Sequence, residues 1–131
     1  MASEMAVLAE GALSGEGRKA SSRPVDLVHL SRYTLGEREL EREVLALFCA
    51  QSKIYIERLR AARSDKDWKD AAHSLKGSAS AIGAWRVAGA AERAEALSGE
   101  ALAQGRTLRL HEIESAVSEA ETYIGALLQD R

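Results

Sequence analysis

Three residues within little more than one helical turn are the best placed in this chain to do chemistry. They are His73, Lys76 and Gly77, inside the run Ala71-Ala72-His73-Ser74-Leu75-Lys76-Gly77-Ser78-Ala79. A helix advances about 100° per residue. With His73 as the origin, Trp68, Ala71, Leu75, Ser78, Ala79 and Ile82 fall at roughly 140–240°, an apolar stripe on the far side. Lys69, Lys76, Gly77 and Ser80 fall within about 60° of the histidine. The imidazole is therefore expected in the middle of the wet face. An unperturbed imidazole, with a pKa of about 6.5, is mostly unprotonated at pH 7, and the neutral form is a good nucleophile. Exposed on a helix, its free ring nitrogen can attack a phosphoryl group in line. Lys76 can lean over the same face and balance phosphate charge. Gly77 keeps open a position where a side chain would crowd a phosphoryl group or an approaching partner, although glycine inside a helix costs about 1 kcal/mol relative to alanine.

Each residue alone has a plainer reading. A single surface histidine is usually only a surface residue, and a single lysine is a solvated charge. A glycine can let two helices pack closely. Gly77, however, faces away from the apolar stripe, so helix packing does not account for it. The combination breaks a local rule without a packing reason, which points to a site. Lys66, Lys69, Asp70 and Lys76 surround His73, and this rim of charge can steer an acidic partner surface. Lys69, Ser80 and Ala84 are the expected docking residues, the small ones letting a partner helix come close.

The elements that must hold this face are all helical. Residues 1–24 are rich in Ala, Gly, Ser and Glu and read as a tail, with a helical turn expected around Met5 to Leu13. Pro24 marks the boundary, and residues 25–131 form the expected domain. Asp26 can cap a short helix through Tyr33. Thr34-Leu35-Gly36-Glu37 has the spacing of a capping box, and a long helix follows to about Ala62. Its expected stripe is Leu40, Val44, Leu47, Phe48, Tyr55 and Leu59. Ser64 to Asp67 caps the histidine helix, which is expected to end at Gly83. The next helix should run from about Trp85 to Gln104, stopped by Gly105, with a thin stripe of Val87, Ala91, Ala94, Leu97 or Ser98, and Ala101. The last should run from about Leu108 to Leu128 on Ile113, Val117, Ala120, Ile124 and Leu127. Amphipathic helices joined by short loops, with no strand pattern, read as an all-α antiparallel four-helix bundle with a short extra N-terminal helix.

Composition narrows the function. The 131 residues suffice for one domain with a core, and 46% apolar with 29% charged residues is a globular balance. The formal net charge of −2 gives no reason to expect nucleic acid or an anionic membrane as partner. No apolar run approaches the about 20 residues of a membrane span. Glu4 and Glu10, with no basic segment ahead of them, argue against a secretory signal. The lone Cys49 cannot form an internal disulfide and reads as buried filler, so a cytoplasmic location is expected. There is no metal-ligand spacing, and no glycine-rich phosphate loop, so an ATP site is not expected. His29 and His111 lack the lysine and glycine that follow His73 and read as structural or surface residues.

The string Ala72-His73-Ser74-Leu75-Lys76-Gly77-Ser78-Ala79-Ser80-Ala81-Ile82-Gly83-Ala84 resembles the signature of histidine phosphotransfer (HPt) domains, the intermediates of two-component phosphorelays. The resemblance extends from about Val25 to Leu128 and takes in Tyr33-Thr34-Leu35-Gly36, Leu47-Phe48 and Asp67-Trp68. It departs in the Ala-rich helix that begins at Trp85, where the family more often has larger apolar residues. The resemblance implies that His73 carries the phosphoryl group, Lys76 stabilises it and Gly77 leaves room for the partner. It also implies a phosphocarrier rather than an enzyme. Its partners would be receiver domains of response regulators and hybrid histidine kinases, which supply Mg²⁺. No cofactor of the chain's own is expected, and a monomer is. A helical adaptor that binds a signalling partner without carrying phosphate is the alternative, and it would not need His73, Lys76 and Gly77. A phosphoacceptor module of a larger kinase is the third reading. The chain's end just after its last helix is taken as an argument against that one.

Overall fold

The computed structural model describes residues 23–129, and these form five α-helices and no strand. The expected tail lies outside the described residues except for Arg23 and Pro24. Val25, at the expected boundary, is already fully buried.

Helix α1 (Leu27–Thr34) starts where expected, with the Asp26 carboxylate accepting the His29 amide at 3.1 Å. The capping box after it does not form. Thr34 is the last residue of α1, and its hydroxyl donates to the Leu30 carbonyl at 3.1 Å. Thr34 is thus still helical and three residues ahead of Glu37, which holds the N-cap position of the next helix. Leu35 turns the chain in a left-handed conformation, and α2 (Arg38–Ala61) begins after Glu37 without a side-chain cap.

The buried face of α2 is rotated from the expected stripe. Phe48 and Leu59 are buried as expected, but Leu40 and Leu47 are exposed, and the remaining core positions are Leu45, Ser52 and Ile56. Ser52 masks the pattern, because a polar residue sits at a core position with its hydroxyl donating to the Phe48 carbonyl at 2.7 Å. Cys49 is half-buried rather than buried, and burial raises its thiol above the ordinary value.

Helix α3 (Asp65–Ile82) matches its expected bounds. Ser64 accepts the Asp67 amide at 3.1 Å, and Gly83 closes the other end at φ +77°. A Cβ on Gly83 would lie 2.8 Å from the Asp26 side chain, so both conformation and contact require glycine here. Trp68, Ala71, Ala72, Leu75, Ala79 and Ile82 are buried, which leaves the opposite face free.

The boundary between the last two helices falls nine residues earlier than expected. Helix α4 (Trp85–Glu95) stops well before Gln104, and α5 (Gly99–Gln129) runs unbroken through Gly105 and Leu108. Two interactions decide this. Gly99 adopts φ +55°, and its amide donates to the Asp65 carboxylate of α3 at 2.9 Å. Gly105 is a packing glycine, since a Cβ there would come within 3.2 Å of Leu97.

Helix α2 packs on α3, α3 on α4, α4 on α5 and α5 back on α2, with α1 laid against α2 and α3. They share one core whose largest fully buried side chains include Trp68, Phe48, Leu75, Ile82, Ile113 and Ile124. Arg106 ties three of these helices together. Its guanidinium donates to the carbonyls of Leu59, Arg60 and Ala62 at 2.9, 3.1 and 2.8 Å and lies 5.1 Å from the Trp68 ring centroid. No helix among the described residues is long and apolar enough to cross a membrane.

Candidate functional site

The open face of α3 carries His73 with its side chain 70% exposed. Its ring is held from one side. Nδ1 lies 2.9 Å from Oε2 of Glu95, the last residue of α4. Lys76 Nζ lies 3.0 Å from Oε1 of the same carboxylate, as an ion pair set off the hydrogen-bonding direction. One carboxylate therefore bridges the histidine and the lysine.

The charge on Glu95 fixes the chemistry of the imidazole. Burial raises its carboxyl, but Lys76 and His73 outweigh burial and hold it below the ordinary glutamate value. It is ionised at neutral pH, and an ionised carboxylate can only accept a hydrogen bond. Nδ1 of His73 must then carry the proton and donate it to Oε2. In the neutral form of the ring the lone pair is then on Nε2, and no group among the described residues bonds that nitrogen. The arrangement presents a nucleophile of defined tautomer, with a counter-charge behind it for any positive charge the ring acquires.

Gly77 is exposed, and a Cβ added to it would meet nothing within 4 Å. Its own fold does not need a glycine there, in contrast to Gly83. Lys69 is half-buried, and its Nζ donates to the Glu95 main-chain carbonyl at 2.9 Å instead of pointing outward. Lys66 pairs with Asp70 at 2.6 Å. All three lysines of the expected steering rim thus have partners within the chain. Ser80 is half-buried on the open face. Ala84 is not on that face. It is fully buried as the N-cap of α4, where its carbonyl accepts the Ala88 amide, so it has no surface for a partner to touch.

The opposite flank of α3 meets α2. Ser78 donates to the Gln51 side chain at 3.4 Å, and Tyr33, Val44, Leu47, Ser78 and Ala81 line a shallow groove of about 140 Å³. Tyr33 and Leu47 are 55% and 54% exposed there. His29 stacks edge-on against Trp85 with ring centroids 4.8 Å apart, and His111 is exposed on α5. Among the described residues, no three His, Cys, Asp or Glu side chains are grouped to hold a metal ion.

Glu95 and the groove were missed by the sequence reading. An α4 drawn through to Gln104 puts Glu95 in mid-helix among other acids, with no reason to single it out. The signal was in the turn. His73 lies ten residues before Gly83 and Glu95 twelve after, so a chain folded back at that glycine brings the two level.

The Hpt domain family matches residues 43–130, a span that includes His73, Lys76, Gly77 and Glu95 and leaves α1 and the start of α2 outside. Among solved structures, the chain is similar to the crystal structure of the histidine phosphotransferase ShpA from Caulobacter crescentus. The two share 29% sequence identity and superpose with a TM-score of 0.63, over 82% of this chain and 92% of the other. No curated protein matches the chain.

Proposed function

The chain belongs to the Hpt domain family, and on that premise we propose that it relays a phosphoryl group between receiver-domain aspartates through His73. Its role is that of a phosphocarrier in two-component signalling. The observation that carries the finer reading is the His73–Glu95 contact, which places the proton of a neutral ring on Nδ1 and so leaves the lone pair on Nε2.

The step balances on the groups present. The Nε2 lone pair attacks phosphorus as the bond between phosphorus and the donor aspartate oxygen breaks, releasing a carboxylate. The ring, still protonated at Nδ1, becomes cationic, and Glu95 faces that charge. Lys76 leans toward the incoming phosphoryl oxygens, and the open position at Gly77 admits them. In the reverse direction the protonated phosphoimidazole is a good donor, since imidazole leaves neutral. Mg²⁺ and the remaining catalytic groups belong to the receiver.

The closed ring of α2, α3, α4 and α5 is read as an antiparallel four-helix bundle with α1 as the extra helix. A receiver docks over the open face around His73 and Ser80 and reaches the α2–α3 groove, where Tyr33 and Leu47 supply the apolar contact. The protein acts as a cytoplasmic monomer with transient affinity, because both partners must leave. The test is label transfer from a phosphorylated receiver to wild type and to His73→Gln. Label on wild type alone supports the relay. Retention of label by the variant, at unchanged stability, sinks the assignment.

A further inference from the structure

Glu95 is held at three points by one stripe of α3. Lys69 Nζ donates to its main-chain carbonyl at 2.9 Å, His73 Nδ1 to Oε2 at 2.9 Å, and Lys76 lies 3.0 Å from Oε1. These three residues stand at i, i+4 and i+7, on one helix face. We infer that Lys69 is a positioning residue for His73, acting through Glu95. The inference deepens the phosphoacceptor reading of His73 and rests on it.

The end of α4 leaves carbonyls for α3 to satisfy. The last four carbonyls of a helix lack intrahelical partners. Glu95 contributes one of them, and Lys69 supplies the donor, with its positive charge at the favourable end of the helix dipole. Neighbouring groups are fixed by the same segment of α3. Trp68 Nε1 donates to the Ala94 carbonyl at 2.7 Å, and the Asp65 carboxylate accepts the Gly99 amide at 2.9 Å. Asp65, Trp68 and Lys69 thus hold the turn from Ala94 to Gly99 onto the helix that bears the nucleophile.

Lys69 is the member of this set that grips Glu95 itself. His73 is largely exposed, and Glu95 is the group that orients its ring. A small rotation of the last turn of α4 would shift both carboxylate oxygens together and release Nδ1. The same lysine, taken as a docking residue, would act on receiver affinity and leave the ring untouched. The two roles therefore separate by measurement.

Lys69→Met keeps the aliphatic stem and removes the donor, and Lys69→Arg restores a donor. Ring ¹⁵N shifts of His73 are read by NMR in the unphosphorylated full chain, with Glu95→Ala as the reference for a released ring. Transfer rate and receiver Kd are measured on the same samples after thermal melting shows them folded. The His73 shifts of Lys69→Met are expected to move toward those of Glu95→Ala, with transfer about threefold slower, as one weakened hydrogen bond implies. The Kd should stay within about twofold, and Lys69→Arg should recover both shifts and rate. Wild-type shifts in Lys69→Met overturn the inference, and so does a loss of affinity that accounts for the whole slowing. Because the spectrum needs neither phosphate nor receiver, it stands or falls separately from the phosphoacceptor assignment, which His73→Gln tests.

Discussion

Replacing Gly77 with alanine should make the protein more stable and a poorer phosphoryl acceptor. Gly77 sits in the middle of an exposed helical face, with nothing within 4 Å of an added Cβ. No clash subtracts from the intrinsic preference of a helix interior for alanine, about 1 kcal/mol. For a domain of this size that corresponds to a rise in Tm of about 3–5 °C. The added methyl would stand one turn beyond His73, in the space an incoming phosphoryl group and its carrier must share. Forcing a methyl into a close-packed contact typically costs about 1–3 kcal/mol, so transfer should slow by at least about fivefold. Thermal unfolding followed by circular dichroism, and the rate of transfer from a phosphorylated receiver, measure the two effects on one sample. Wild-type transfer by Gly77→Ala would refute the claim that this position is kept open for the reaction. A lower Tm would refute the structural argument beneath it.

Two further perturbations separate the site from its scaffold. The Glu95 carboxyl is held below its ordinary value, so its pairing contributes stability above the unfolded-state value of about pH 4.3 and loses it as pH falls through the lower folded value. Glu95→Gln should therefore be less stable than wild type by about 1 kcal/mol at pH 7, and the gap should close in urea titrations at pH 3. A gap that does not change with pH would contradict the ionised bridge. Arg106→Met removes the donor to three carbonyls at the end of α2 and should cost about 1–2 kcal/mol in urea denaturation with no change in transfer rate. Slowed transfer in that variant would put Arg106 in the reaction path, where the structure does not place it.

The placement of His73 and its neighbours on one open face was legible in the sequence because they lie within one helix, where a 100° step converts spacing directly into direction. His73, Lys76 and Gly77 face outward and Trp68, Leu75 and Ile82 inward, as the periodicity requires. The two caps of α3, Ser64 and Gly83, were readable for the same reason. What escaped depends on contacts between helices. The break between α4 and α5 is fixed by Asp65 reaching across to Gly99, 34 residues away, and local composition says nothing of that bond. Gly105 resembled a helix stop, but it is a concession to the Leu97 side chain. Ser52 hid the true face of α2 by satisfying its hydroxyl within its own helix. Glu95 combined both difficulties, since its role needs the correct end of α4 and the fold-back at Gly83 together.

The most direct measurement identifies the phosphorylated atom. The chain is labelled with ¹⁵N histidine, phosphorylated by a phospho-receiver, and examined by ³¹P–¹⁵N coupling in NMR under basic conditions that preserve phosphohistidine. A single coupling to Nε2 of His73 is the predicted result, because Glu95 occupies Nδ1. Phosphorus on Nδ1, on His29 or His111, or on no histidine at all would contradict the account.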